Sequence, residues 1–361
     1  EFLSRIKQKL IEVYHCILPE KEAGSIIAML LGEKYLLDEE VNELYQENGI
    51  SHILSISGLH VSLIGLAFYQ LLKRLKFPFV LSIILAILFL YSYGILTNFS
   101  VSTIRAIIMM VLLLLSKIFG KTYDMLSAIS FSALIILLNN PMQLFHLSFL
   151  LSYGAVLGMA ILLPCLQMLY PSKNSIVSGL YVSISAQIAT LPLILVFFYQ
   201  LPIYSVIINL IILPLSSLLL ISALIAGIAG CISLPLGIFC VGGTNYILRF
   251  YEWVCRMGAR LPSNLVTIGK PDQLPILLYL ALLLLFIWYV KRYKKKRITL
   301  VLPIAILILL LPQRNVGLEI TMLDVGQGQA IFMETVNGTT YLFDGGSSDV
   351  KGVGKHRIQP Y

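Results

Sequence analysis

Ten apolar tracts, at about 53–72, 78–97, 102–119, 124–139, 142–163, 176–199, 203–230, 237–256, 274–290 and 298–312, follow one another with only short polar breaks. A helix needs about 20 residues to cross a bilayer, and about 17 is a practical minimum. In lipid every backbone polar group must find a partner within the protein, which leaves helices and closed barrels; tracts of this length are helices. Those at 124–139 and 298–312 are short for a span, and that at 203–230 is long and expected to break at Pro214. Of the 361 residues 58% are hydrophobic and only 12% charged, against about a quarter charged in soluble domains. The mean hydropathy is +0.88. The chain is therefore expected to be an all-α polytopic membrane protein of about ten membrane segments. Residues 1–50 and those after Pro312 are wetter, so the expected parts are 1–50, 51–312 and 313–361.

The net charge of +8 lies in short clusters. Basic clusters beside apolar spans report topology first, and an anionic substrate only second. With Lys73, Arg74 and Lys76 in the cytoplasm, strict alternation also puts Lys117, Lys121, Lys173 and the run Lys291, Arg292, Lys294, Lys295, Lys296 and Arg297 there. That is about a dozen bases on one side. The breaks at 98–101, 139–142 and 200–204 hold no Lys or Arg, while Arg256, Arg260 and Lys270 fit badly. Both ends of the chain, Asp324 included, are expected outside. No basic segment leads into an apolar core with a cleavage site, and the chain is expected to begin and end inside a longer protein. Cys16, Cys165, Cys231, Cys240 and Cys255 form no Cys-x-x-Cys pair. They read as small hydrophobes in helix packing, with a disulfide to Cys16 as the alternative.

In the lead-in, Asp38 can cap a helix with Glu39 and Glu40 in its first turn and Val41, Leu44 and Tyr45 on one face, ended by Gly49. The lead-in is expected to lie at the membrane surface. Ser51, His52, Ser55, Ser57, Gly58 and His60 then crowd the mouth of the first apolar tract. Such polar atoms are either buried among helices or line something wet. Arg105, near the end of its tract, either snorkels to the interface or faces an inner cavity. His146 reads as an interface histidine. Gln187 and Thr190 precede Pro192, where a helix interruption is expected; they either satisfy the carbonyl that proline frees or line a pore. Asn209, before Pro214, is similar. Arg249, Glu252 and Arg256 share a helix face and can pair; with Phe250, Tyr251 and Trp253 around them, that helix either spans or lies in the interface.

The run Ile53-Leu54-Ser55-Ile56-Ser57-Gly58-Leu59-His60-Val61 resembles the signature of the competence domain in ComEC proteins. Arg105-Ala106, the stretch from Pro141 through Leu147-Ser148-Phe149-Leu150-Leu151-Ser152-Tyr153, and Gln187 with Thr190-Leu191-Pro192 resemble the same domain, so the likeness covers about residues 25–260. It implies a multi-pass protein of the bacterial inner membrane that passes one DNA strand into the cytoplasm during natural transformation. Membrane lipid, a DNA receptor outside and a cytoplasmic ATPase or helicase are the implied partners, with a homo-oligomer possible. A strand of phosphates needs a wet, weakly cationic path with aromatic stacking surfaces. Ser55, Ser57, Gly58, His60, Arg105, His146, Gln187, Thr190 and Asn209 are the candidate channel residues, and none is assigned a catalytic role.

After Pro312 strands are expected at 317–324, 330–335 and 339–343, with Asn337-Gly338 as a type I′ hairpin turn. Leu323-Asp324-Val325-Gly326-Gln327-Gly328-Gln329-Ala330 and Asp344-Gly345-Gly346 resemble the start of a metallo-β-lactamase-like α/β domain, which ComEC proteins carry outside the membrane. Such domains hydrolyse with two metal ions held by a His-x-His-x-Asp-His motif. That motif does not occur in this sequence, so zinc or manganese is expected only in a full-length domain and no cofactor here. Gln329 replaces the family's usual aspartate, and His356 reads as a bystander. Two other readings of the membrane part stand beside the channel. One is an intramembrane serine hydrolase with Ser57 as nucleophile and His60 as base, which lacks a Gly-x-Ser-x-Gly. The other is a small-solute permease, which lacks an evident inverted repeat.

Overall fold

The computed structural model describes residues 2–269, 271–310, 317–323, 325–335, 337, 339–347, 354 and 358. In chain order the helices are α1 (Phe2–Ile17), α2 (Glu20–Leu31), α3 (Glu39–Glu47), α4 (Gly58–Arg74), α5 (Phe79–Leu96), α6 (Val101–Ile118), α7 (Met125–Asn139), α8 (Leu147–Leu169), α9 (Ser175–Phe198), α10 (Ser205–Ile232), α11 (Leu234–Ala259), α12 (Gln273–Tyr293) and α13 (Val301–Leu310). Strands β1 (Gln200–Pro202) and β2 (Leu265–Thr267) pair with each other, and β3 (Glu319–Met322), β4 (Gly328–Glu334) and β5 (Thr340–Ser347) form a second sheet. The chain divides into two compact units. The first comprises Glu1–Leu163, Lys173–Gln187 and Pro202–Asn264, and the second Pro164–Ser172, Ile188–Leu201 and Leu265–Tyr361.

Among the described residues, seven helices are long and apolar enough to cross a membrane: Ser51–Arg74, α5, α6, α8, α9, α10 and α12. The other three apolar tracts differ from them. Helix α7 has 15 residues and α13 has ten, both short for a span. Helix α11 has 26 residues but carries Arg249, Glu252 and Arg256. Many large apolar side chains on the spans, such as Leu88, Leu218, Ile228 and Leu284, are exposed, as a lipid-facing surface requires.

The two helix breaks expected at prolines do not occur. Pro192 lies inside α9 and Pro214 inside α10. Proline removes one N–H and so leaves the carbonyl four residues earlier without its donor, which at Pro192 is that of Ile188. The Tyr279 hydroxyl of α12 donates to that carbonyl at 2.6 Å. Neither Thr190 nor Gln187 was needed for it, and the helix runs on. Tyrosines do similar work elsewhere. Tyr14 donates to Ala223 O at 2.9 Å, Tyr93 to Leu30 O at 2.9 Å, and Tyr251 to Ile212 O at 2.9 Å.

The lead-in starts as read from sequence, then departs from it. Asp38 caps α3 by accepting the Val41 N–H at 3.1 Å, Val41 and Tyr45 are buried, and Gly49 has φ 70°. Yet α2 is not peripheral: every residue from Ala23 to Leu31 is buried in the large core of the first unit. Its tight fit shows at Gly32 (φ 81°), where a Cβ would stand 3.2 Å from Ile56 Cδ1. Helices α10 and α11 form a hairpin whose backbones meet at two glycines, a Cβ on Gly237 falling 2.7 Å from the Gly230 Cα. Small residues permit such close approach. Helix α1 lies against the same place through Val13, Tyr14 and Ile17. All five cysteines are free, with Cys165 and Cys255 buried.

Polar pairs join the lead-in to α11. Glu40 accepts from Lys21 Nζ at 2.7 Å and from Arg256 Nη2 at 2.6 Å; Arg256 also meets Glu252 at 2.7 Å. Arg249, expected to share that grouping, turns instead to Glu22 at 3.8 Å. In the second sheet β3 and β4, and β4 and β5, run antiparallel. At their hairpin Thr335 N–H donates to Thr339 O at 3.0 Å; the expected Asn337-Gly338 turn includes Gly338, which lies outside the described residues. The Thr335 hydroxyl also engages Thr339, donating to its carbonyl at 3.0 Å and accepting its N–H at 3.2 Å.

Two predictions follow from these contacts. Tyr279→Phe leaves the Ile188 carbonyl without a donor and should cost about 1–2 kcal/mol, measured by thermal unfolding in detergent. In the double variant with Pro192→Ala, which restores the backbone donor, the cost should shrink; strict additivity would refute the link. The second concerns acid. The hydrogen bonds from Lys21, then Arg256, hold the Glu40 carboxyl below its ordinary 4.5. A lowered folded value stabilises above the unfolded value and is lost as pH falls through the folded one. The melting temperature of Glu40→Gln should therefore fall less on acidification below about pH 4 than that of the parent, by a small margin because the group is exposed.

Candidate functional site

The chain turns sharply before α4. A single 3-10 turn over Ser51–Ile53 sets Ile53, Leu54 and Ile56 into the core, and the Ser55 hydroxyl donates to the His52 carbonyl at 2.9 Å. Ser57 is extended and caps α4. Its Oγ accepts the His60 N–H at 3.4 Å, while His60 Nδ1 accepts the Ser57 N–H at 3.5 Å. Reciprocal boxes of this kind satisfy two of the orphan donors at a helix start, here loosely and with histidine in the place of the usual Glu. His60 is 1% exposed. A nucleophilic serine needs its base to receive the hydroxyl proton; here Nδ1 faces the backbone N–H. The pair starts a helix and is not arranged as a dyad.

Gly58 faces Arg105. A Cβ on Gly58 would stand 3.3 Å from Arg105 Nη2 and 3.8 Å from the Ala106 Cβ, so the two separated sequence elements pack directly on each other. Arg105 occupies the second turn of α6 and is only 6% exposed; it does not snorkel. Its guanidinium carbon lies 5.7 Å from the centre of the Tyr153 ring, a cation–π contact. Tyr153 and Ser132 oxygens are 2.9 Å apart. Because the Ser132 hydroxyl donates to Ile129 O at 2.8 Å, Tyr153 is the donor between them, and this fixes the ring under the cation. Arg105 Nε has no hydrogen-bond partner, and no ion pair involves Arg105 among the described residues. Between Ser51 and Pro271 the only acidic residues are Asp124 and Glu252. Glu252 pairs with Arg256 and Lys21. Asp124 caps α7, beyond the far end of the 18-residue α6, which lies about 20 Å of helix from Arg105.

The other sequence candidates lie apart. His146 is exposed between a 3-10 turn and α8. Gln187 Oε1 accepts from the Ser205 hydroxyl at 3.1 Å, and Thr190 is buried. Asn209 Oδ1 is buried without a partner, as are the Ser183 and Ser185 hydroxyls. Sequence reasoning missed Ser132 and Asn48. Asn48 is fully buried and donates to Leu44 O at 2.7 Å and Cys255 O at 3.1 Å; neither residue stands out in its own neighbourhood. In the tail, Gly328 opens β4 opposite Ser347, and Gln329 pairs with Gly346. A Cβ on Gly328 would collide with the Gly346 carbonyl, which explains glycine there. Gly326 has φ 79° and Asp344 φ 57°. The Asp344 carboxylate accepts the N–H groups of Gly345 at 2.6 Å and Gly346 at 2.9 Å, which lower its pKa, Gly346 first. It thus orders its own turn. Among the described residues no three of His, Cys, Asp and Glu come close enough to hold a metal ion, and the Asp344 turn does not fit one. Asp324 and His356 lie outside the described residues.

The family model described as Competence protein matches residues 29–293, a range that holds the Ser57–His60 cap, Arg105, Tyr153 and all seven candidate spans. The chain belongs to the competence protein family. It is 27% identical over 338 residues to ComE operon protein 3 of Bacillus subtilis, covering 91% of this chain and 42% of that protein. It is 29% identical over 346 residues to competence protein ComA of Neisseria gonorrhoeae, covering 90% of this chain and 46% of that protein. It is 31% identical over 141 residues to recombination protein 2 of Haemophilus influenzae, covering 37% of this chain and 18% of that protein. The chain thus spans less than half the length of each of these three relatives. No solved structure matches it. The apolar helices make it a multi-pass membrane protein.

The Ser57-Gly58-Leu59-His60 run is thus a helix start packed on a cation. Ser57→Ala should cost about 1 kcal/mol through the lost cap, with the protein still inserted and most DNA uptake retained. A fluorophosphonate probe should leave Ser57 unmodified. Covalent capture of Ser57 would restore the hydrolase reading.

Proposed function

We propose that the chain forms a membrane channel that passes single-stranded DNA into the cytoplasm during natural transformation. The observation that supports this most is Arg105, a cation buried among spans of a competence protein with no acidic partner among the described residues. Burying a charge inside a membrane is costly and marks sites that handle ions or substrates. A permease for neutral solutes has no use for such a charge, whereas a passing phosphodiester strand supplies its counter-ion. Aromatic rings give a strand sequence-tolerant surfaces, and Tyr153 stands beside the cation.

In this proposal the chain sits in the inner membrane with the loop Lys291–Arg297 in the cytoplasm and the sheet β3–β5 outside. The sheet belongs to an extracytoplasmic metallo-β-lactamase-like domain, and any zinc or manganese is held by parts of that domain beyond these residues. A DNA receptor outside, a cytoplasmic ATPase or helicase and a second copy of the chain are the proposed partners. The chain carries no phosphate-binding loop of its own, so the energy comes from a partner. Thiol labelling of intact cells tests the arrangement: Thr340→Cys should react with a membrane-impermeant reagent and Lys295→Cys should not. The reverse pattern would put the sheet inside. Fluorescently labelled single strands should bind the purified chain in neutral detergent with a strong salt dependence; an absence of binding at low salt would sink the channel reading.

A further inference from the structure

We infer that the N-terminus of α4 and the Arg105 guanidinium together form a binding site for one phosphodiester anion, the point at which a DNA strand is held as it enters the spans. The inference rests on the channel reading and deepens it. These two packed elements carry four donors that no hydrogen bond engages among the described residues. The first N–H groups of a helix have no partner within it. The capping box serves the N–H groups of Ser57 and His60, and no hydrogen bond engages those of Gly58 and Leu59 among the described residues. Beside them stand Arg105 Nε, buried and without a partner, and Nη2, within 3.3 Å of the position a Gly58 Cβ would take. A phosphate oxygen set accepts from backbone N–H groups at a helix start and from the forked donors of arginine. The 17-residue helix α4 adds its positive end.

Gly58 has a part in this. Without a side chain it lets the guanidinium lie close to the helix start, whereas a Cβ 3.3 Å from Nη2 would make Arg105 give by a few tenths of an ångström. Tyr153, held by Ser132, supports the cation from one side without neutralising it. The near-absence of carboxylates between Ser51 and Pro271 leaves the site no internal competitor. A single monoanionic phosphodiester suits one arginine and two amides, and it suits transit, because one contact of this kind holds a strand without locking it. A phospholipid headgroup carries the same phosphodiester chemistry. The DNA strand is the occupant that the channel reading calls for, and the experiment separates the two sources.

The test uses the whole chain in nanodiscs of zwitterionic lipid, with a labelled oligothymidine as probe. Arg105→Gln should weaken binding on the order of tenfold and reduce the slope of log affinity against log salt by about 0.7. Arg105→Lys should keep most of the slope. Gly58→Ala keeps the charge but moves it, and should weaken binding as well, with an effect that does not add to that of Arg105→Gln. Lys296→Gln, in the basic loop, is the control for general electrostatics and should leave the Arg105 effect intact. A methylphosphonate oligomer of the same sequence should bind parent and Arg105→Gln alike. Parent binding with unchanged affinity and slope in Arg105→Gln, the variant being folded by its melting curve, overturns the site and leaves the channel reading standing. No parent binding at all overturns the channel reading itself. If Arg105→Gln instead loses co-purifying phospholipid while oligothymidine binding is unchanged, the site is a lipid site and the inference is wrong.

Discussion

A polar group inside a bilayer has no water to turn to, and most features of this fold answer that constraint. Three prolines lie inside helices α8, α9 and α10, where each removes a backbone donor. At Pro192 a tyrosine from another helix restores it. Three further tyrosines each place a hydroxyl on a buried carbonyl far away in sequence. Tyrosine suits this task because its ring is apolar and its single donor sits at the tip. The result is a set of cross-helix staples that fix helix pairs at defined heights. Shape alone, with lipid tails as apolar as leucine, does this less well.

Set against that economy, Arg105 stands out among the unpartnered buried groups because it carries a charge. The chain satisfies its Ser57 and His60 amides, its Tyr153 hydroxyl and the Ile188 carbonyl with partners from within. The buried Arg105 guanidinium keeps a ring at 5.7 Å and, among the described residues, no carboxylate that neutralises it. Natural sequences break local rules at functional positions, and this is where the Ser57–His60 cap and the Arg105-Ala106 pair meet. The helix start and the cation reinforce each other, since both present positive potential to the same small volume.

Much of this was legible in the chain itself. Tract length and composition located the spans, because hydropathy over about 20 residues is a local property. The Asp38 cap and the Glu252–Arg256 pair were local too, each closed within four residues. What escaped was everything settled at a distance. Pro192 read as a break because Tyr279, which rescues it, lies 91 residues away from the freed Ile188 carbonyl. Helix α2 read as a surface element because its burial depends on helices that follow it. Arg249 read as a partner for Glu252, and the nearby Glu22 drew it away. At the site, each half was visible as an oddity, a glycine among serines and an arginine in an apolar run. Their contact across 47 positions was not.

The glycine contact between α10 and α11 has a mechanical meaning. Where two backbones touch with no side chains between them, neither helix can slide or turn without the other. The Tyr251 staple to Ile212 ties the pair a second time, further from the turn. Helix α1 is keyed into the same junction by Val13, Tyr14 and Ile17. These three helices are therefore one lever, with an amphipathic arm at one end and the 28-residue α10 as its shaft. A load on α1 is a load on the shaft.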